Sequence, residues 1–210
     1  MMKYRVIPVT RYQQNCSLVW CSKTHSATLI DAGGDIEQLL LAVAEEGVTL
    51  EKLLLTHGHL DHVGGAHTLA EQLNIPIIGP HQADRFWFER LADQANMFGF
   101  AHTEPFMPHR WLIEGEQITV GDELFDVLHC PGHTPGHIVF YNAASQTAFV
   151  GDVLFQNSVG RSDFPMGNHT DLIHSIKEKL LPLGDEVRFI PGHGPSSTFG
   201  EERRNNPYLI

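Results

Sequence analysis

The stretch THGHLDH, residues 56–62, places His57, His59, Asp61 and His62 within seven positions. Metal-binding histidines on a helix face sit at i and i+4, and His57 and His59 are only two apart. Side chains two apart point the same way only on extended backbone, so both imidazoles leave the end of the preceding apolar run LLLT side by side. Gly58 between them allows a tight chain path. Asp61 and His62 then fall at a helix N-terminus and project differently, toward a second centre a few ångströms away. The motif therefore demands a strand, a turn and a helix start in succession, and it suggests two metal ions.

Two cations need more than four ligands. Histidine, the commonest metal ligand, accounts for 14 of the 210 residues. Three further candidates share one local context. His133 lies in HCPGH after LFDVL, Asp152 in VGDVLF after TAFV, and His193 in IPGHG after VRFI. Each is an apolar strand, a Gly-marked turn and a ligand-competent side chain, and strand ends along one sheet edge can converge. Asp31, ending TLIDA, is either a hydrogen-bond partner of a ligand imidazole or a strand-terminal turn residue. His137 begins a strand and supports the loop, and the other histidines lack the turn context. Cys130 beside His129 invites a nucleophile reading, but it fits a strand end beneath the site better.

Short β-branched runs (KYRVIPV, NCSLVW, SATLIDA) read as consecutive antiparallel strands. DIEQLLLAVAEEG is a helix with Asp35 as N-cap and Gly47 as its stop. LEKLLLT and IPIIGP are strands, and a helix starts at DHVGG. Residues 81–110 hold one or two helices with an aromatic face, then a loop. QITV, LFDVLHC, HIVFYN and TAFVG are strands, HTDLIHSIKEKLLPLG is one helix ended by Gly184, and VRFIPGHG is the last strand. Two face-to-face sheets with helices outside follow, in a single α/β (α+β) domain over residues 1–210.

The net charge of −11 disfavours nucleic-acid and anionic membrane partners. No run approaches the roughly 18 apolar residues of a membrane span. An odd count of three cysteines without a CxxC pair, and an N-terminus lacking a signal-peptide core, fit a reducing cytoplasm.

THGHLDH, PGHTPGH, GD and PGHG in this order resemble the metallo-β-lactamase superfamily over most of the chain, and within it the glyoxalase II (hydroxyacylglutathione hydrolase) family in its short single-domain bacterial form. The resemblance implies a four-layer αββα sandwich with a dinuclear site on one edge. One metal would take His57, His59 and His133, the other Asp61, His62 and His193, with Asp152 bridging. Two departures from that family matter. Its C-terminal helices, which help hold glutathione, have no counterpart here, and its GKFYEG loop reads GRSDFPMG. Arg161 stands in that loop as a substrate-binding candidate, either pairing a thiol tail's carboxylate or forming a surface ion pair.

Five imidazoles and two carboxylates favour two Zn2+ per chain, with iron or manganese as alternatives. Paired cations bring a shared water's pKa to about 7, so hydroxide, held also by Asp61, would attack an acyl carbonyl. A thioester suits such a site, because a thiolate leaves without a general acid. The implied reaction is hydrolysis of S-D-lactoylglutathione or a similar small-molecule hydroxyacyl thioester. The alternative is an iron-dependent persulfide dioxygenase, whose GRTDF-like loop resembles GRSDF and whose triad would be His57, His133 and Asp152. A nuclease is the third possibility, disfavoured by the acidic balance.

Overall fold

The computed structural model describes all of residues 1–210. The first half of the chain forms a five-stranded sheet in the order β1-β2-β3-β4-β5. Strands β1 (Met2–Val9), β2 (Gln14–Cys21) and β3 (Ser26–Ile30) run antiparallel. Helix α1 (Ile36–Glu46) returns the chain so that β4 (Thr49–Leu54) lies parallel to β3. Helices α2 (Leu60–Val63) and α3 (Ala66–Leu73) lead to β5 (Ile77–Ile78), parallel to β4.

Helices α4 (Arg85–Glu89) and α5 (Leu91–Phe98) connect the halves. In the second half, β6 (Gln117–Val120), β7 (Glu123–His129), β8 (Ile138–Asn142) and β9 (Thr147–Gly151) run antiparallel. A hairpin, β10 (Leu154–Phe155) and β11 (Ser158–Val159), precedes α6 (His169–Ser175) and β12 (Arg188–Pro191), which joins β9 in parallel. Then β13 (Ser197–Thr198) completes a six-stranded sheet of order β13-β12-β9-β8-β7-β6, and α7 (Phe199–Asn205) follows.

Strand alternation sorts the apolar side chains into layers. In β2, Cys16 and Leu18 pack with α1 and α3 on one face, whereas Val19 faces the other sheet. In β8, Ile138 and Phe140 meet Val19's side, whereas Val139 and Tyr141 pack toward α6. Three apolar interfaces separate four layers, helices–sheet–sheet–helices, the expected αββα sandwich. No helix is long and apolar enough to cross a membrane.

Three local expectations fail for identifiable reasons. Asp35 does not cap α1: it sits in left-handed backbone (φ 49°), and its carboxylate accepts the Thr10 amide at 2.6 Å, tying the β1–β2 turn to the helix start. The helix expected over residues 169–184 ends its α-helical part at Ser175 and continues as a wider π turn over Ile176–Leu180 and a 3-10 turn over Leu181–Leu183. Pro182 has no N–H to give the Glu178 carbonyl, so the α register cannot run on. Strand β12 is not the last element, since β13 and α7 follow. Thr198 Oγ1 accepts the Glu201 amide at 3.2 Å, so Thr198-Phe199-Gly200-Glu201 carried a readable T-x-x-E helix start.

Candidate metal centre

Strands β4, β7, β9 and β12 each end within four residues of a sequence-predicted site residue, namely His57, His133, Asp152 and His193. These ends share one edge of the sandwich. There the structure gathers His57, His59, Asp61, His62, His133, Asp152 and His193.

Hydrogen bonds on the outer side of each ring decide which nitrogen faces the cluster. Thr56 Oγ1 donates to Asp31 Oδ2 at 2.6 Å, so its lone pair accepts His57 Nδ1–H at 3.0 Å and His57 Nε2 points inward as an acceptor. His133 Nδ1–H donates to the Arg161 carbonyl at 2.7 Å, which likewise leaves Nε2 as a lone pair. Both Nε2 atoms face His59 Nδ1, at 3.2 and 3.0 Å. A neutral imidazole has one proton and can satisfy only one of them. A shared cation accepts all three lone pairs, and the three ligand atoms lie within 4.8 Å of one another.

The second group is Asp61, His62 and His193. His62 Nδ1–H donates to Asp31 at 2.8 Å and His193 Nδ1–H to the Tyr12 carbonyl at 3.2 Å, turning both Nε2 atoms inward. His193 Nε2 stands 3.0 Å from Asp61 Oδ2. Asp152 lies between the groups, 3.3 Å from His62, 3.6 Å from His133 and 3.8 Å from His193. The His62 Nε2 and Asp152 Oδ1 atoms face each other without hydrogen-bond geometry and have no other partner. A buried polar atom left so costs roughly 1–3 kcal/mol, and both fit as metal donors. The residues present therefore suit a pair of divalent cations.

The electrostatics agree. Burial, reinforced by neighbouring imidazoles, holds His57 well below the usual range, burial does the same to His59, and burial lowers His133, keeping the first trio neutral and able to ligate. Burial opposes charge on Asp61 and Asp152 too, but His62 and its fellow imidazoles outweigh it and both carboxyls stay ionised. Burial likewise opposes the protons on His62 and His193, yet Asp152, Asp61 and Asp31 raise His62 well above its ordinary value, and Asp61 raises His193. Protein groups alone thus balance this charge with protons, which metal binding releases.

Asp31, undecided in sequence, orients one imidazole of each group, His57 through Thr56 and His62 directly. Asp31→Asn is expected to weaken metal binding about 10- to 100-fold. Chelator competition on a protein of unchanged circular dichroism measures this. His137 supports the site from behind: its Nε2 accepts the Asp152 amide at 3.0 Å, and its ring stacks on His57. Cys130 is buried just after β7 with its thiol pushed up to about 12 by burial, which removes it as a nucleophile.

Two neighbours escaped the sequence reading. Trp87 packs its ring edge-on against His59, and buried Asp84 binds the backbone on both sides of the cluster. Neither stands in a motif. A cavity of about 730 Å³ opens on His59, Asp61, His133, Asp152 and His193, with aromatic walls from Tyr12, Phe86, Phe98, Phe155 and Phe164. Arg161 lines its rim, but its guanidinium forks onto Asp163 (3.0 and 3.0 Å) and lies 4.3 Å over the Phe164 ring.

Clustered His and Asp side chains at the shared edge of an αββα sandwich, open to a substrate-sized cavity, define a metal-dependent hydrolase. The chain belongs to the metallo-beta-lactamase superfamily, whose family model matches residues 9–193. It is 48% identical to hydroxyacylglutathione hydrolase GloC of Haemophilus influenzae over 209 residues, 99% of this chain and 98% of that one. Among solved structures it resembles BLEG-1 B3 metallo-beta-lactamase (TM-score 0.91, 34% identity, 99% of each chain). It also resembles TTHA1623 in a di-iron-bound form (TM-score 0.89, 40% identity, 98% of this chain and 100% of that one).

Proposed function

We propose that the protein hydrolyses a small hydroxyacyl thioester of the S-D-lactoylglutathione kind, using two divalent cations, in a reducing cytoplasm. The carrying observation is the pair of ligand groups that meet at Asp152 and open into one cavity. Full-length similarity to a hydroxyacylglutathione hydrolase supports the substrate class. His57, His59 and His133 would hold one cation and Asp61, His62 and His193 the other, with Asp152 shared. The imidazole-rich donor set favours zinc, and the di-iron form of TTHA1623 keeps iron as the alternative.

Bound there, two cations supply Lewis acidity and a water acidified to about pKa 7. The chain's own groups do the rest. Asp61 faces the cavity as an ionised acceptor able to orient that water's proton. The aromatic walls bind the substrate's apolar surface and exclude bulk water. No general acid is needed, because a departing thiolate has a conjugate-acid pKa of about 8.5. Arg161 pairs with Asp163 on the exposed rim, and a contact made from there to a substrate carboxylate would add little, so Arg161→Ala should change KM no more than about fivefold.

Thioesterase assay with S-D-lactoylglutathione, with metal analysed on the same sample, is the test. Turnover rising with the second equivalent of metal is expected. One iron per chain with thiol-dependent oxygen uptake and no thioester turnover would overturn the proposal in favour of a persulfide dioxygenase.

A further inference from the structure

We propose that Asp84 is a positioning residue that sets the two ligand-bearing loops in register across the junction between the halves of the chain; this rests on reading His57, His59 and His133 as one metal-holding group. Asp84 is fully buried in the turn before α4. It occupies the N-cap position of that helix yet makes no side-chain cap there. Its oxygens go to the loops instead. Oδ2 accepts the Gly58 amide at 2.8 Å and Thr134 Oγ1–H at 2.8 Å, and Oδ1 accepts the Gly136 amide at 2.5 Å.

Each donor adjoins the site. Gly58 separates His57 from His59, Thr134 follows His133, and Gly136 precedes His137, which holds the Asp152 amide. One carboxylate thus fixes backbone from both halves that must agree if three lone pairs are to converge. Both glycines allow the approach: a Cβ on Gly136 would come within 2.5 Å of the Asp84 amide, and one on Gly58 within 2.7 Å of Trp87 Cβ. Two neighbouring main-chain bonds also reach these loops, Ile138 N–H to the Thr56 carbonyl at 2.9 Å and His81 N–H to the Gly136 carbonyl at 3.1 Å, but neither engages Gly58 or Thr134. Burying a carboxylate is costly, and burial pushes this one up to about 7 against the pull of its three donors. An amide cannot replace it, because Asn has one acceptor oxygen for three donors.

The test uses the full-length metal-loaded protein, with Asp84→Asn and the milder Thr134→Val. Zinc affinity is read by chelator competition and site geometry by the visible spectrum of the cobalt-substituted protein. Asp84→Asn should weaken zinc binding about 10- to 100-fold and shift the cobalt bands, with Thr134→Val moving both in the same direction by less. A merely structural role would lower the melting temperature of metal-stripped and zinc-loaded protein equally and leave affinity and spectrum as in the native protein, which would overturn the proposal. Should Asp84→Asn not fold, Thr134→Val decides by the same readouts. A native protein that takes up no cobalt would sink the metal-centre reading and this proposal with it, whereas native uptake with unaltered variants sinks the proposal alone.

Discussion

Asp152→Ala should yield a folded protein that has lost more than about 100-fold in metal affinity and with it all measurable thioester turnover. The bound rests on comparison: removing a group that merely orients a ligand costs about 10- to 100-fold, and Asp152 stands among the donors themselves. Its carboxyl lies within 3.8 Å of His62, His133 and His193, and no other acid lies near all three. Without it, one negative charge must serve where two did, and the two groups share no ligand. His57→Ala should be equally severe, because His57 is fully buried and its neighbours cannot swing into its place. Metal analysis after gel filtration and an activity assay check both. Retained turnover in metal-depleted His57→Ala would defeat the mechanism.

Gly192→Ala, a change beside the candidate ligand His193 rather than at a ligand, should come close to the same loss. A Cβ at this position would sit 2.1 Å from Asp152 Oδ1 and 2.5 Å from His62 Cε1. Neither neighbour retreats without disturbing the cluster, since the Asp152 carboxylate would have to rotate away from His62 and the His62 ring to leave Asp31. The Asp152 backbone is held by His137 and the His62 ring by Asp31. The Gly192 backbone is held as well, its amide donating to the Gly151 carbonyl and its carbonyl accepting the Asn15 amide, both at 2.7 Å. The strain of such overpacking is typically about 1–3 kcal/mol, so a modest fall in melting temperature should accompany a large fall in metal content. Two equivalents of zinc bound at native affinity would show that the crowding is relieved by movement elsewhere.

What could be read from the sequence follows from how far each interaction reaches along it. The spacing of His57 and His59 constrains backbone locally, and the strand–turn–ligand contexts of His133, Asp152 and His193 recur in plain view. The alternation that makes four layers is likewise a property of each strand by itself. Asp84 was invisible because its partners lie 26, 50 and 52 residues away. The role of Asp31 is set by Thr56 and His62, which reach the same carboxylate from 25 and 31 residues away. Arg161 left two roles open, a contact to substrate or a surface ion pair, and Asp163, two residues on, supplies the ion pair. The Thr198–Glu201 signal is local, but only a short helix without a long apolar stripe follows it.

The two ligand groups differ in their access to solvent. His57, His59 and His133 expose 0%, 9% and 3% of their surface, and His62 of the second group 0%, whereas the Asp61 and His193 side chains expose 23% and 29%. If both proposed metal positions fill, the one held by His57, His59 and His133 should exchange more slowly, since it meets the cavity only through buried imidazoles, while the other trades more readily with competing ions in the buffer. Elemental analysis of a purified sample would then mix two histories, the outer metal recording the last solution the protein met and the inner one the cell that made it.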